Sequence, residues 1–407
     1  MKKTLFALLI FALTAAGISS CEKLLPPAPD DNEILDGPVD GLTNEQRRIF
    51  LEGDIAFNDE VFTAETGLGP IFVAASCGSC HAGDGRGHPF TTLTRFGQGD
   101  STGNTFASLG GPQLQNRAII GYSPEWLPAN VPSSKFTPPA NTGLGFLEAV
   151  TDADLLASQD PNDANGDGIT GVVNWVTVPE FVTPSPNCAI NVNRYIGRFG
   201  RKAAAFNLLH QTVNAYVQDM GITSDYNTQD LFHFNNGAFA TDGVADPEVS
   251  GATVNTVVFY LQTLKAPIPR DQEDPDVIAG KQLFTQLNCN GCHTPQLQTG
   301  YSPIEPLAYK IFYPYTDLLL HDMGPGLDDD YTEGNAATSE WRTPPLWGLG
   351  LSPDSQGGQY FLMHDGRAHT ISDAILQHGG EALNSRNAYD GLSETEKQQL
   401  IKFLESL

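Results

Sequence analysis

One five-residue pattern, Cys-x-x-Cys-His, occurs twice in this 407-residue chain, as Cys77-Gly78-Ser79-Cys80-His81 and as Cys289-Asn290-Gly291-Cys292-His293. It is the attachment signature of c-type haem: two thiols form thioethers with the porphyrin vinyls, and the adjacent imidazole becomes the proximal iron ligand. On a helical turn the three residues share one face, so a short peptide grips ring edge and iron together. Two other uses of the thiols compete. A zinc ribbon places its two knuckles about 15 to 20 residues apart, whereas these lie in different halves of the chain. A disulfide or thioredoxin-like pair leaves the histidine after both second cysteines as coincidence.

The N-terminus places this chemistry outside the cytoplasm. Met1-Lys2-Lys3, an apolar run from Leu5 to Ala16 and Gly17-Ile18-Ser19-Ser20-Cys21 read as a secretory signal peptide over residues 1–20. The run falls short of the ~20 residues that a spanning helix needs. Its Ile-Ser-Ser-Cys ending resembles a bacterial lipobox, which makes Cys21 the expected lipidation site and anchors the mature chain to a bacterial membrane, facing the periplasm; a chance cysteine at an ordinary cleavage site is the alternative. No other stretch is long and apolar enough to cross a bilayer, so attachment rests on lipid alone. Residues 21–41, with Pro26-Pro27-Ala28-Pro29-Asp30-Asp31, read as a tether.

Six cysteines then divide without a disulfide framework: one for lipid, four for haem, and Cys188 with no role. The net charge of −26 becomes −28 once the two leader lysines are removed. That argues against nucleic acid and an anionic membrane face as partners, and suits steering of a basic one, such as a small basic cytochrome; a solvated acidic surface explains the charge equally.

Thr43-Asn44-Glu45-Gln46 reads as a capping box opening a helix toward the first motif, and Ser393-Glu394-Thr395-Glu396 as another opening a terminal helix with Leu400, Phe403, Leu404 and Leu407 on one face. A helix is also expected from Phe199 to Met220. Asp163, Asn165 and Asp167, in Asp-x-Asn-x-Asp-Gly spacing, match the start of a calcium loop; Asn174 stands where its last acid belongs, so a turn with no ion competes. Pro267-Ile268-Pro269-Arg270-Asp271 marks a boundary between an N-terminal haem domain over residues 42–268 and a C-terminal one over 269–407. The second half echoes the first: Thr137-Pro138-Pro139 with Gly143-Leu144-Gly145 answers Thr343-Pro344-Pro345 with Gly348-Leu349-Gly350, and Asp219-Met220-Gly221 answers Asp322-Met323-Gly324. The repeat implies two related haem domains with large, unequal insertions.

Several blocks carry a resemblance: Cys77 to Gly87, Asn165 to Gly171, Tyr315 to Gly324, Trp341 to Gly350, Phe361-Leu362-Met363-His364-Asp365-Gly366-Arg367-Ala368-His369 and His378 to Ala382. They resemble bacterial di-haem cytochrome c peroxidases and the related methylamine-dehydrogenase-maturation enzyme, and more closely the di-haem oxidoreductase family known as thiol oxidoreductase-like. The resemblance covers nearly the whole mature chain. It implies a mainly α protein of two cytochrome c-like haem domains with long loop-rich insertions, an interface that conducts electrons, and Trp341 or Trp347 between the haems.

The resemblance also orders the candidates for the iron's other face. In the peroxidases the second haem's distal ligand follows the histidine of the His-Asp-Gly motif by fourteen residues, and from His364 that count reaches His378. The peroxidases carry methionine there; bis-histidine ligation implies a lower potential. Met363 or Met323 as ligand, or a structural His378, are the alternatives. For the first haem, an acid-base glutamate precedes a Glu-Met-Gly-like turn, which points here to His210 and Gln211, allowing an insertion of about one turn. His210 then either moves a proton between peroxide oxygens or binds the iron itself, with a helix-packing role as a third use. The expected activity is peroxidase-like, with peroxide or another oxidisable substrate and a redox-protein partner; a pure electron-transfer cytochrome, and a lipoprotein whose haems only report redox state, are the other readings. The family's thiol name gains no support, because Cys188 alone cannot run a dithiol cycle.

Overall fold

The computed structural model describes residues 29–97, 107–186 and 188–407. The leader and Cys21 lie outside the described residues. Met1–Ile34 group as one unit, in which Glu33 N–H closes a turn on the Asp30 carbonyl (2.9 Å), and Leu35–Leu407 as a second. Among the described residues there are ten α-helices, 32% helix against 13% strand, and six two-stranded antiparallel ladders, so the fold is mainly α. None of those helices is long and apolar enough to cross a membrane.

Within the second unit one arrangement occurs twice. The helix Asn44–Asp54 opens on the capping box at Thr43, whose Oγ1 accepts from Gln46 N–H (3.2 Å) while Gln46 Oε1 accepts from Thr43 N–H (3.0 Å). It crosses the helix Gly251–Thr263 at Gly53, where a Cβ would stand 2.4 Å from the Thr256 carbonyl oxygen. The helix Pro275–Gln286 crosses the terminal helix Glu394–Glu405 at Gly280, where a Cβ would stand 2.0 Å from the Gln399 carbonyl oxygen. Only a residue without a side chain lets two backbones approach so closely. The same pairs are finished by rings: Phe50 on Tyr260 (5.0 Å between centroids) in one, Phe284 on Phe403 (5.5 Å) in the other.

Each crossing delivers a histidine. A π-turn, Ile55–Asp59, extends the first helix and brings Phe57 to His81 (6.0 Å); in the second copy Phe284 lies 6.4 Å from His293. The Gly-Leu-Gly loops repeat as well, Gly145 seated against the Gln262 carbonyl and Gly350 against that of Glu405. Two hydrophobic cores form around these crossings. One holds Phe50, Phe57, Leu147, Tyr216, Val254 and Leu261, and also draws Ile304, Leu307, Phe312 and Trp347 from beyond Asp271. The other holds Val277, Phe284, Leu349, Leu400, Phe403 and Leu404.

The helix expected from Phe199 begins only at Leu208, capped by Asn207, whose Oδ1 accepts from His210 N–H (2.8 Å). Residues 199–205 instead form a tight loop bridged between Phe199 and Ala205. Its reason is two adjacent buried cations. Lys202 Nζ donates to the carbonyls of Ala337, Thr338 and Glu340 (2.8, 3.0 and 2.6 Å), and Arg201 to that of Thr137 (2.9 Å). On a helix, consecutive residues diverge by about 100°, whereas this loop lets Arg201 reach Thr137 and Lys202 the carbonyls of residues 337 to 340.

Gly280→Ala is expected to cost about 1–3 kcal/mol through backbone overpacking at the crossing, read as a lower unfolding midpoint of the holoprotein by circular dichroism. Gly326→Ala, at a site with nothing within 4 Å of the added carbon, is the neutral control.

Candidate haem sites

The first motif is a tight turn in which Cys80 and His81 N–H groups both donate to the Cys77 carbonyl (3.0 and 3.1 Å). Thiols and imidazole line a cavity of about 270 Å³, walled by Thr137-Pro138-Pro139, by Trp347 and by the helix Leu208–Met220. Burial holds the His81 ring neutral, its pKa lowered to about 4, so it keeps a lone pair for a metal. Six buried polar atoms have no hydrogen-bond partner and belong to residues lining this one cavity: His81 Nδ1, Arg86 Nε, Asn141 Nδ2, Thr142 Oγ1, Thr212 Oγ1 and Tyr216 Oη. Folded proteins pair such atoms almost without exception. So many around one void, with apolar Leu, Phe and Pro faces between them, fit a large flat group with a metal centre and polar edges, which is what a c-type haem is.

Of the two residues expected to face the first iron, only Gln211 lines the cavity. His210 is turned away: its Nδ1 accepts from Phe206 N–H (3.2 Å) and its ring stands edge-on to Phe181 (6.4 Å). The helix, starting at Leu208, presents Gln211 and Thr212 to the cavity and leaves His210 outside its lining. The acid on this wall is Asp219, two turns further on. Gln113 Nε2 donates to its Oδ1 (2.5 Å), and burial pushes its pKa up to about 6, with Gln113 and Arg95 opposing. Gln113 and Gln115 also donate to the Gln218 carbonyl (2.9 and 3.0 Å), and Arg95 bridges Gln218 Oε1 (2.7 Å) to Glu333 (2.8 Å). Sequence reasoning read Asp219-Met220-Gly221 only as a turn after the helix. The triplet itself carried the signal, with an aspartate where the resembling pattern has glutamate.

At the second motif, His293 Nδ1 pairs with the Tyr315 carbonyl (3.0 Å) and His378 Nδ1 with that of Ala374 (2.7 Å). A carbonyl partner assigns the proton to Nδ1 and leaves Nε2 of each ring as the lone-pair donor. Burial lowers both pKa values, that of His293 to about 4, and for His293 the charge of His378 adds to the lowering. His364 is used elsewhere: Nε2 meets Asp329 Oδ2 (2.7 Å) and the ring stacks on Trp341 (3.8 Å between centroids, 15°), over which Lys202 Nζ also sits at 4.0 Å. Met323 and Met363 pack around the same Trp341 cluster.

Beside Cys292 sits a buried relay that the sequence did not announce. His321 lies between Asp317 Oδ2 (2.9 Å) and Glu381 Oε2 (2.8 Å), and Glu381 in turn accepts from Thr170 N–H (2.9 Å). Burial opposes its charge, yet hydrogen bonds with Asp317, Cys292 and Glu381 push its pKa up to about 12; Glu381, despite burial, is held down at about 2 by His321 and Thr170. The loop of Asp163, Asn165 and Asp167 uses its oxygens on itself: Asp163 Oδ1 accepts from Gly168 N–H (3.1 Å), Asn165 Oδ1 from Asp167 N–H (2.9 Å) and Asp167 Oδ1 from Ile169 N–H (3.0 Å). Among the described residues the acids that converge on one point are Asp230, Asp246 and Glu248 instead.

His321→Gln is expected to lower stability by about 3–5 kcal/mol at pH 6, since it strands two buried carboxylates. His321's contribution is complete below pH 6.5 and fades as pH rises toward 12; Glu381's is complete above 4.5 and fades as pH falls toward 2. Denaturant melts across pH should show a deficit that narrows in both directions.

No curated protein matches the chain. Among solved structures, the hydrazine synthase of Kuenenia stuttgartiensis is similar at 14% identity over 94% of this chain and 95% of that one, with a TM-score of 0.40. A MauG-like protein associated with microbial copper homeostasis is similar at 13% identity over 94% of each chain, also at 0.40. Likenesses of that depth say nothing further about this chain. The family model described as "Di-haem oxidoreductase, putative peroxidase" matches residues 136–407, two thirds of the sequence and all of the second motif's surroundings. The chain belongs to the di-haem oxidoreductase family.

Proposed function

We propose that this protein is an exported di-haem c-type cytochrome that works as a peroxidase-like oxidoreductase. Cys77 and Cys80 hold one haem covalently with His81 as proximal ligand; Cys289 and Cys292 hold the other between His293 and His378. Domains 42–268 and 269–407 carry one each, with Cys21 lipid-anchored on the periplasmic side. Bound haem supplies one-electron redox chemistry at iron. Peroxide takes up two electrons from a redox-protein donor and two protons, giving two waters.

The observation that carries this reading is an asymmetry. At the second site His293 and His378 each tie Nδ1 to a backbone carbonyl, which would leave two Nε2 lone pairs for one iron, a closed arrangement suited to electron transfer. The first sets a buried carboxyl with a pKa of about 6 into the cavity of Cys77 and Cys80. Asp219, oriented by Gln113, takes a proton from one peroxide oxygen and returns it to the other, which is general acid-base work at a matched pKa. Tyr216, Leu208 and Phe136 keep bulk water from that cavity. The alternative, a carrier with both irons six-coordinate, draws on Met220, whose thioether side chain also lines the first cavity.

The decisive experiment mixes half-reduced holoprotein with peroxide and a reduced cytochrome. Catalytic oxidation of the donor is expected, rising with pH through about 6 as Asp219 ionises, and Asp219→Asn should lower turnover by about 10²–10⁴ with two haems still present by mass. No turnover at any pH would leave the carrier reading standing. Electron paramagnetic resonance adds a second check: His378→Ala should convert the second haem from low to high spin, and an unchanged low-spin signal would remove His378 from the iron.

A further inference from the structure

We infer that Arg86, Arg201 and Arg342 form the binding site for the two carboxylates of the first haem's far edge, and that this anionic edge fastens the two halves of the protein together. The inference rests on the haem reading above and adds a position and a consequence to it. Of the four arginines lining the cavity, Arg95 is matched by Glu333 (2.8 Å). The other three hydrogen-bond only to carbonyl oxygens: Arg86 to Met363 (3.1 Å), Arg201 to Thr137 (2.9 and 2.5 Å), Arg342 to Gly200 and Thr343 (3.0 and 3.3 Å). A carbonyl satisfies a donor but cancels no charge. The chain has 48 acidic residues against 22 basic ones, so carboxylates to pair with these cations are not scarce.

The cost of this arrangement is visible. Burial lowers all three pKa values, those of Arg86 and Arg342 to about 10; the charges of Arg86 and Arg342 lower Arg201 further, and only Asp365, already paired with Arg367, opposes this at Arg201 and Asp317, already paired with His321, at Arg342. Three guanidiniums crowded in one low-dielectric wall require an anion, and Arg86 Nε still has no partner. The position fits a porphyrin fixed at Cys77 and Cys80, whose carboxylates lie on the edge opposite the vinyls. Cys77, Cys80, His81 and the three arginines all line this one cavity.

Each arginine also reaches across the molecule. Arg86 holds the carbonyl of Met363, next to His364, and Arg201 holds that of Thr137, whose N–H donates to the His364 carbonyl (2.7 Å). Arg342 N–H donates to the Arg201 carbonyl (3.0 Å), and Arg342 follows Trp341 in the strand Glu340–Arg342. Two carboxylates here neutralise the repulsion at the seam between the halves, directly beside the stacked Trp341 and His364.

The test uses purified holoprotein, counted for haem by mass, with Arg86→Gln, Arg201→Gln and Arg201→Lys. Resonance Raman propionate bands and spectroelectrochemical midpoints are expected to shift for one haem only, the potential falling as a positive charge is lost. Arg201→Lys should retain more of the potential than Arg201→Gln while still altering the band. Arg86→Gln removes a single hydrogen bond to protein and keeps the test decisive where Arg201→Gln fails to fold. Inorganic phosphate titrated into wild type should change nothing; a saturable response that Arg86→Gln abolishes would make this a free-anion site and overturn the proposal. Unchanged bands and potentials in Arg86→Gln with two haems bound would overturn it too. Colourless protein would instead remove the haem reading beneath it.

Discussion

The approach of helix backbone to helix backbone, made possible by a missing side chain at Gly53 and again at Gly280, is the contact on which the rest depends. It sets the angle at which the helix before each paired-cysteine turn meets the helix that closes its half. Phe57 and Phe284 leave those crossings pointing at His81 and His293. A thioether fixes a porphyrin only at its edge. Where each imidazole stands is decided several residues earlier, where two helices touch.

On this duplicated frame the two sites have diverged through single residues. Near one motif, His293 and His378 each have Nδ1 tied to a backbone carbonyl, which leaves Nε2 of each ring as the lone-pair nitrogen. The other keeps Asp219 beside Gln113, where burial, against the opposing hydrogen bond from Gln113, brings a carboxyl into the range useful for proton transfer.

Charge is sorted by depth. The chain as a whole is strongly acidic, which suits recognition of a basic partner, while its interior gathers Arg86, Arg201, Lys202 and Arg342 around the first cavity and the seam behind it. Desolvation penalises each of them, and carbonyl oxygens relieve the hydrogen-bonding part of that penalty without touching the electrostatic part. His321 is the counter-example: flanked by Asp317 and Glu381, its charge is overcompensated and it remains an imidazolium deep in the protein.

Both capping boxes, both Cys-x-x-Cys-His turns and the echo between the halves were legible in the sequence, because each is a local pattern whose chemistry acts within a few residues. The family was legible for the same reason, in unbroken blocks such as Trp341 to Gly350. The helix expected from Phe199 was not, since Arg201 and Lys202 are held by carbonyls far along the chain, at Thr137 and at residues 337 to 340, in a loop that ends at Asn207. His210 and Gln211 looked equivalent in one dimension; the rotation of the Leu208–Met220 helix gave the cavity to Gln211 and Asp219 and sent His210 toward Phe181. The chain by itself determined which chemical groups it carries and, at the two capping boxes, where helices begin. Which of those groups face one another was left to tertiary packing, because Gln113 on Asp219, Glu381 on His321 and the carbonyls of Met363, Thr137 and Gly200 on the three arginines lie 60 to 277 residues away, and only burial brings them within reach.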